Sequence, residues 1–316
     1  MCLEKIRQKF DLSVVKSLEL EDLSIDFTMY DNWTTALFSH RLIARLAHIP
    51  GFSWPIQQVH LRITVQHKGV DIGSFESPYA PASVSRGVAY THIPNTTLTV
   101  FDQAHAQFAE FVAALATQPQ HTFSVKGSAD IIIHFGVLGT HTIKGIDFLS
   151  DVTLKGLNNL PEINCTYVKE MVLYEQERVL EVTITLDIMN QSQLMLTLGD
   201  VALKVFYNTS GTLSAANGDV MSEKGDDSRN LIGTIMIRNL TLLQGMNDSR
   251  TATIKLNTSL ERTRPFLANI ARAPQKIHLR GYRGTSKNEI LTAGLNALTT
   301  SFVIPAFQAP SLKGLT

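Results

Sequence analysis

At 316 residues and 35.0 kDa the chain is too long for one small sandwich and suits two domains of roughly 150 residues, each able to bury its own core. Hydrophobic residues make up 44% and charged residues 18%, which excludes the sparse, highly charged composition of disordered chains. Lys plus Arg (28) and Asp plus Glu (28) cancel, so the concentrated positive field that grips a phosphate backbone is missing and nucleic acid is not an expected partner.

No apolar run approaches the roughly 20 residues needed to cross a bilayer, and the opening MCLEKIRQKF lacks the apolar core of a secretion signal. The expectation is a soluble, cytoplasmic chain without a membrane span, lumenal or vacuolar only if an N-terminal anchor is missing from it. Two cysteines, Cys2 and Cys165, imply no disulfide framework, and Cys165 in a strand-like run reads as a small buried hydrophobe.

Along the chain, period-2 alternation dominates, as at Leu61, Ile63 and Val65, with a turn at Lys68 and Gly69. A strand with Ile72 and Gly73 is followed by the strand NTTLTVF. One helix comes next in FDQAHAQFAEFVAALATQP, where Ala104, Phe108, Phe111, Val112 and Leu115 share a face, Asp102 stands at the N-cap position and Pro119 lies beyond the end. A strand to Gly127 and a stretch from Gly145 to Leu157 complete the half.

The same order recurs with Ile232 and Gly233, TATIKLN, a shorter helix starting near Pro265, a strand to Gly281 and a stretch from Gly294 to Phe307. The fold class expected is all-β with one helix per repeat: two tandem β-sandwiches, residues 1–156 and 157–316, the boundary marked by GLNNLPE. The second carries a polar surface insertion at 209–230.

The strings IPGFSWPI (Ile49 to Ile56), QFAEFVAAL and GIDFLSDVTLKGLNNL (Gly145 to Leu160), with NQSQLMLTLGDVALKVFYN and LIGTIMIRNLTLLQGMN later, resemble a fungal family of tandem domains of unknown function. Its domains are similar to late-embryogenesis-abundant type 2 (WHy) sandwiches. That resemblance implies immunoglobulin- or fibronectin-like sheets that splay to hold lipid or another long apolar ligand, and a relation to vacuolar membrane-anchored proteins.

Nine of ten histidines lie between His40 and His141, but His60 and His67 face opposite sides of one strand and no spacing fits a metal, so no metal site is expected. No nucleophile elbow or phosphate loop occurs, no cofactor is implied and no catalytic residue stands out. His105 with Asp102, and Asp31 with His40, read as caps and surface groups. Trp33, Phe52 and Trp54, large aromatics at loop-like positions, are the candidate ligand-binding residues; otherwise they plug the open end of the first core. Binding or transfer of a lipid-like or other apolar small molecule is the expected function. Two alternatives stand beside it: an enzyme that cyclises or rearranges a hydrophobic metabolite without metal or nucleotide cofactor, and a structural module. Any site is expected in the first half or around Gly156 to Pro161.

Eight of fifteen asparagines open an Asn-X-Ser/Thr sequon: Asn32, Asn95, Asn164, Asn190, Asn208, Asn239, Asn247 and Asn257. They mark a glycosylated lumenal surface, or arise because Thr suits strands and Asn suits turns. Without a signal segment, the second origin is the expectation.

Overall fold

A computed structural model describes residues 15–28, 33–47, 55–134, 139–208 and 230–307. The insertion expected at 209–230 lies outside them except for Asn230, whose carbonyl accepts from Tyr207 N at 2.9 Å. The fold is all-β and sandwich-like. The chain divides into two compact units. Unit 1 comprises residues 1–158 together with 191–197 and 288–294, and unit 2 holds the remainder, so the split falls two residues after the expected 156 and two short segments of the second half belong with the first.

Unit 1 is built from β1 (Val15–Leu20), β2 (Leu23–Asp26), β3 (Thr34–Leu46), β4 (Ile56–His67), β5 (Val70–Glu76), β6 (Ala80–Pro81), β7 (Ser83–Ser85), β8 (Val88–Val100), helix α1 (His105–Thr117), β9 (Gln120–His134) and β10 (Thr140–Lys155). The long strands pair antiparallel in the succession β1, β3, β8, β5, β4, β9, β10. Leu18 N on β1 donates to Ser150 Oγ on β10 at 3.0 Å, so the series returns on itself around one interior. Alternation decides which side chains fill it: Val59, Leu61, Ile63 and Val65 on β4, and Ile146, Phe148, Val152 and Leu154 on β10, are buried. Lys68 and Gly69, both with positive φ, form the tight turn between β4 and β5 whose twist suits a two-residue hairpin.

Helix α1 buries Phe108, Phe111 and Leu115 and packs on β4, β5 and β9. Its start differs from the expectation. Asp102 opens a 3-10 turn, Asp102–Ala104, and makes no capping bond; the α-helix begins at His105. The tight turn is closed by Ala104 N donating to the carbonyl of Phe101, so the backbone supplies the bond a cap would have made.

Unit 2 contains β11 (Ile163–Tyr174), β12 (Val179–Asn190), all of β13 (Leu194–Phe206) beyond Thr197, β14 (Leu231–Leu242), β15 (Gly245–Asn257), α2 (Thr263–Ile270), β16 (Gln275–Arg280) and β17 (Thr299–Ile304). The pairings β11–β12, β12–β15 and β14–β15, and β13–β16 and β16–β17, follow the order of β1–β3, β3–β8, β5–β8, β4–β9 and β9–β10. Helix α2 starts two residues before Pro265, which stands in the first turn where its missing N–H is not needed.

The second half has two helices among its described residues, not one. Helix α3 (Glu289–Leu295), ending at the start of the stretch from Gly294, is the helix not expected, and Asn288 caps it: Leu291 N donates to Asn288 Oδ1 at 2.9 Å while Asn288 Nδ2 donates to the carbonyl of Phe27 at 3.1 Å. Cys165 is half-buried, and desolvation pushes its thiol up to about 11.

Asn247 anchors the β14–β15 hairpin. Its Nδ2 donates to the carbonyls of Leu243 (2.9 Å), Gly245 (3.1 Å) and Ile188 (3.2 Å), and its Oδ1 accepts from Leu243 N at 2.7 Å. Asn247→Ala leaves several of these buried groups unpaired and is expected to cost about 2–3 kcal/mol. The check is the urea midpoint at unchanged slope; a shift under about 0.5 kcal/mol would contradict the anchoring role.

Candidate functional site

The inward faces of unit 1 do not close completely. A cavity of about 80 Å³ lies among buried Leu18, Leu42, Leu61, Ile63, Ile131 and Phe148. By the same measure a single buried water needs only about 10–15 Å³, so several methylene-sized groups fit. Toward the strand ends the lining becomes half-buried: Val15 starts β1, Leu46 ends β3, Ile56 starts β4, and Ala82, Ala89 and Thr91 come from β6–β8 and their connections. Among the described residues Thr91 is the one polar residue on the wall, and its hydroxyl already donates to the carbonyl of Pro81 at 2.9 Å. A wall of this composition offers no group to hydrogen-bond water and favours an apolar occupant.

Small residues make the space: Ala44 of β3 faces Ala89 of β8, Ala129 of β9 lies between Leu61 and Ile146, and Ala82 comes from the connection between β6 and β7. In unit 2 the apolar space among Val182, Val205, Ile254, Phe266 and Ile277 has no room for even a water-sized body.

Of the three aromatics singled out in the sequence, Phe52 and Trp54 lie outside the described residues. The chain positions that flank them, Leu46 and Ile56, both line the cavity. Trp33 is elsewhere. It immediately precedes β3, whose far half reaches the cavity from Leu42 onward; nine residues at about 3.3 Å each separate Trp33 from Leu42 by roughly 30 Å of strand. There Trp33 is half-buried and stacks on His105, ring centroids 3.3 Å apart, while its carbonyl accepts from Val100 N at 2.9 Å. Sequence position showed that Trp33 flanks a strand but could not show which end of the unit it caps.

Two polar clusters occupy other parts of unit 1. On one face, Arg62 pairs across strands with Glu76 (3.1 Å) and Asp130 (3.0 Å), and His60 Nε2 lies 3.0 Å from Glu76. Burial would raise the Asp130 carboxyl, but the N–H of Gly145 at 2.8 Å and the Arg62 guanidinium outweigh it and hold the group below its ordinary range. These charges satisfy one another and none lines the cavity. Near α1, His67 is buried with its Nδ1 3.3 Å from His121 Nε2; His121 Nδ1 meets Gln118, and both rings touch Phe111. Among the described residues no three of His, Cys, Asp or Glu gather as a metal-binding group.

Burial pushes both imidazoles below their usual value, and neighbouring Lys68 adds to the effect, which Glu110 opposes at His67. Unfolded histidines take up protons near pH 6.5, whereas these take them up only at lower pH, so the folded state is fully stable above about 6.5 and loses stability as pH falls. The melting temperature is expected to decline between about pH 7 and pH 5, and more gently in His67→Leu. An unchanged slope in that variant would remove the pair from the explanation.

Residues 75–205 match a family described as protein of unknown function (DUF3712). The matched segment runs from the end of β5 into β13 and carries Ala82, Ala89, Thr91, Ala129, Ile131 and Phe148 of the cavity wall. No curated protein matches the chain. Among solved structures it is similar to SusF from Bacteroides thetaiotaomicron, at 11% identity and a TM-score of 0.18, over 77% of this chain and 51% of that one. The chain therefore spans about half the length of that structure.

Proposed function

We propose that the chain is a tandem sandwich protein of the late-embryogenesis-abundant type 2 kind whose unit 1 binds an apolar small molecule, or the hydrocarbon end of a lipid, between its sheets. The matching succession of strand pairings in the two units supports the tandem reading. The observation that carries the binding reading is the contrast in packing: unit 1 keeps an all but entirely apolar cavity of about 80 Å³, whereas the apolar space among Val182, Val205, Ile254, Phe266 and Ile277 of unit 2 has no room for a water-sized body. A void in an otherwise close-packed interior forfeits dispersion contacts, and an apolar guest restores them. The half-buried rim at the strand ends supplies the direction of entry, and ligand contact is assigned to Phe52 and Trp54, outside the described residues, and not to Trp33.

Native mass spectrometry of the purified protein, followed by titration with palmitate and a fluorescent acyl probe, tests this. One saturable site per chain, competed by palmitate, is expected; no saturable binding and no extractable apolar compound would overturn the reading. General acid–base catalysis in the same cavity would need a titratable group within reach, and among the described residues no His, Asp, Glu, Lys or Tyr lines the wall.

A further inference from the structure

About one residue in six is Ser or Thr, so chance placement would give two or three sequons among fifteen asparagines, against the eight present. A by-product of β architecture should put these asparagines in turns, with Ser or Thr entering the strands. Several fit: Asn190 ends β12, Asn208 follows β13, Asn247 bonds within the β14–β15 hairpin, and Asn257 ends β15 with its Oδ1 accepting from Ser259 N. Asn190 and Asn247 are buried, at 0% and 2% exposure, and the Asn247 Nδ2 that a glycan would occupy already donates to three carbonyls. Asn95 within β8, Asn164 within β11 and Asn239 within β14 are exposed, in strands, where Asn is depleted. Asn239 has a backbone reason, a φ of 48° that Asn tolerates better than most residues. Asn95 and Asn164 have none, and neither side chain has a hydrogen-bond partner among the described residues.

We propose that Asn95 in unit 1 and Asn164 in unit 2 carry N-linked oligosaccharides, and that the protein therefore passes through a compartment holding the transferase. In the reaction the side-chain Nδ2 attacks the anomeric carbon of an oligosaccharide carried on a lipid diphosphate. The N–C bond forms, the bond from that carbon to the diphosphate oxygen breaks, the lipid diphosphate leaves with the electron pair, and the amide nitrogen loses one proton. The hydroxyl two residues on is present at both sites, as exposed Thr97 and as Thr166. At Asn247 a glycan and the native hairpin exclude each other, because the substituted nitrogen would have to give up its buried bonds.

The test uses protein isolated from the cells that make it, treated with a peptide N-glycosidase in water labelled with heavy oxygen and mapped by peptide mass spectrometry. Asn95 and Asn164 are expected to convert to labelled Asp, with Asn190 and Asn247 unchanged. Failure of either exposed site to convert, or conversion at either buried one, would overturn the proposal. Asn95→Gln and Asn164→Gln, both at exposed positions that leave folding intact, should each raise electrophoretic mobility by one glycan step; unchanged mobility in either counts equally against it.

Discussion

Ala129→Leu is expected to weaken binding of an acyl chain roughly fifty-fold while leaving the protein as stable as before, or more so. Ala129 lies on β9 between Leu61 of β4 and Ile146 of β10, with its methyl on the cavity wall. Three added carbons occupy space that about three ligand methylenes would otherwise fill, at about 0.8 kcal/mol each, and the total of some 2.4 kcal/mol is the fifty-fold change. The stability readout separates a cavity from an ordinary core. Enlarging a side chain in a filled interior costs about 1–3 kcal/mol, which is the expectation for Ala252→Leu in unit 2, where Ala252 is buried on β15. Isothermal titration with a soluble acyl ligand and urea unfolding of both variants decide the matter. If Ala129→Leu destabilises as much as Ala252→Leu, the space in unit 1 does not exist in solution.

Strand-level features were legible because they depend on near neighbours. The inward face of Leu61, Ile63 and Val65, the turn at Lys68 and Gly69 and the helix carrying Phe108 and Phe111 each follow from a period or a turn preference. The cavity depends on which alanines of distant strands meet. Ala44, Ala82, Ala89 and Ala129 are unremarkable one at a time, and only the register of β3, β8, β4 and β9 brings them together. Helix α3 shows a different failure: its cap Asn288, the acidic Glu289 and buried Ile290, Leu291 and Leu295 form a readable helix signal, but the expectation of one helix per repeat left no place for it. For Trp33 the sequence shows only that it precedes a strand; its stacking on His105 depends on how the start of α1 meets that strand's beginning.

Gly127→Ala is expected to have the largest effect on stability, near 4 kcal/mol, lowering the melting temperature by roughly 8–16 °C for a unit of this size. Gly127 on β9 faces Ile63 of β4, and a Cβ there would overlap the backbone carbonyl of Arg62 and approach Ile63 Cα to 3.1 Å. Backbone cannot rotate aside as a side chain can, so the two strands must part locally or the pairing must slip. In unit 2, Gly233 on β14 stands in the same relation to the carbonyl of Lys255 on β15, and Gly233→Ala should cost a similar amount. Hydrogen exchange distinguishes the two: amides of β4 and β9 lose protection in the first variant, those of β14 and β15 in the second. Gly127 is also two residues from Ala129, so its substitution should lower binding together with stability, whereas Ala129→Leu lowers binding alone. A Gly127→Ala protein that melts within 2 °C of the parent would show that β4 and β9 do not approach as closely as the pairing requires, and the cavity wall they form would fall with it.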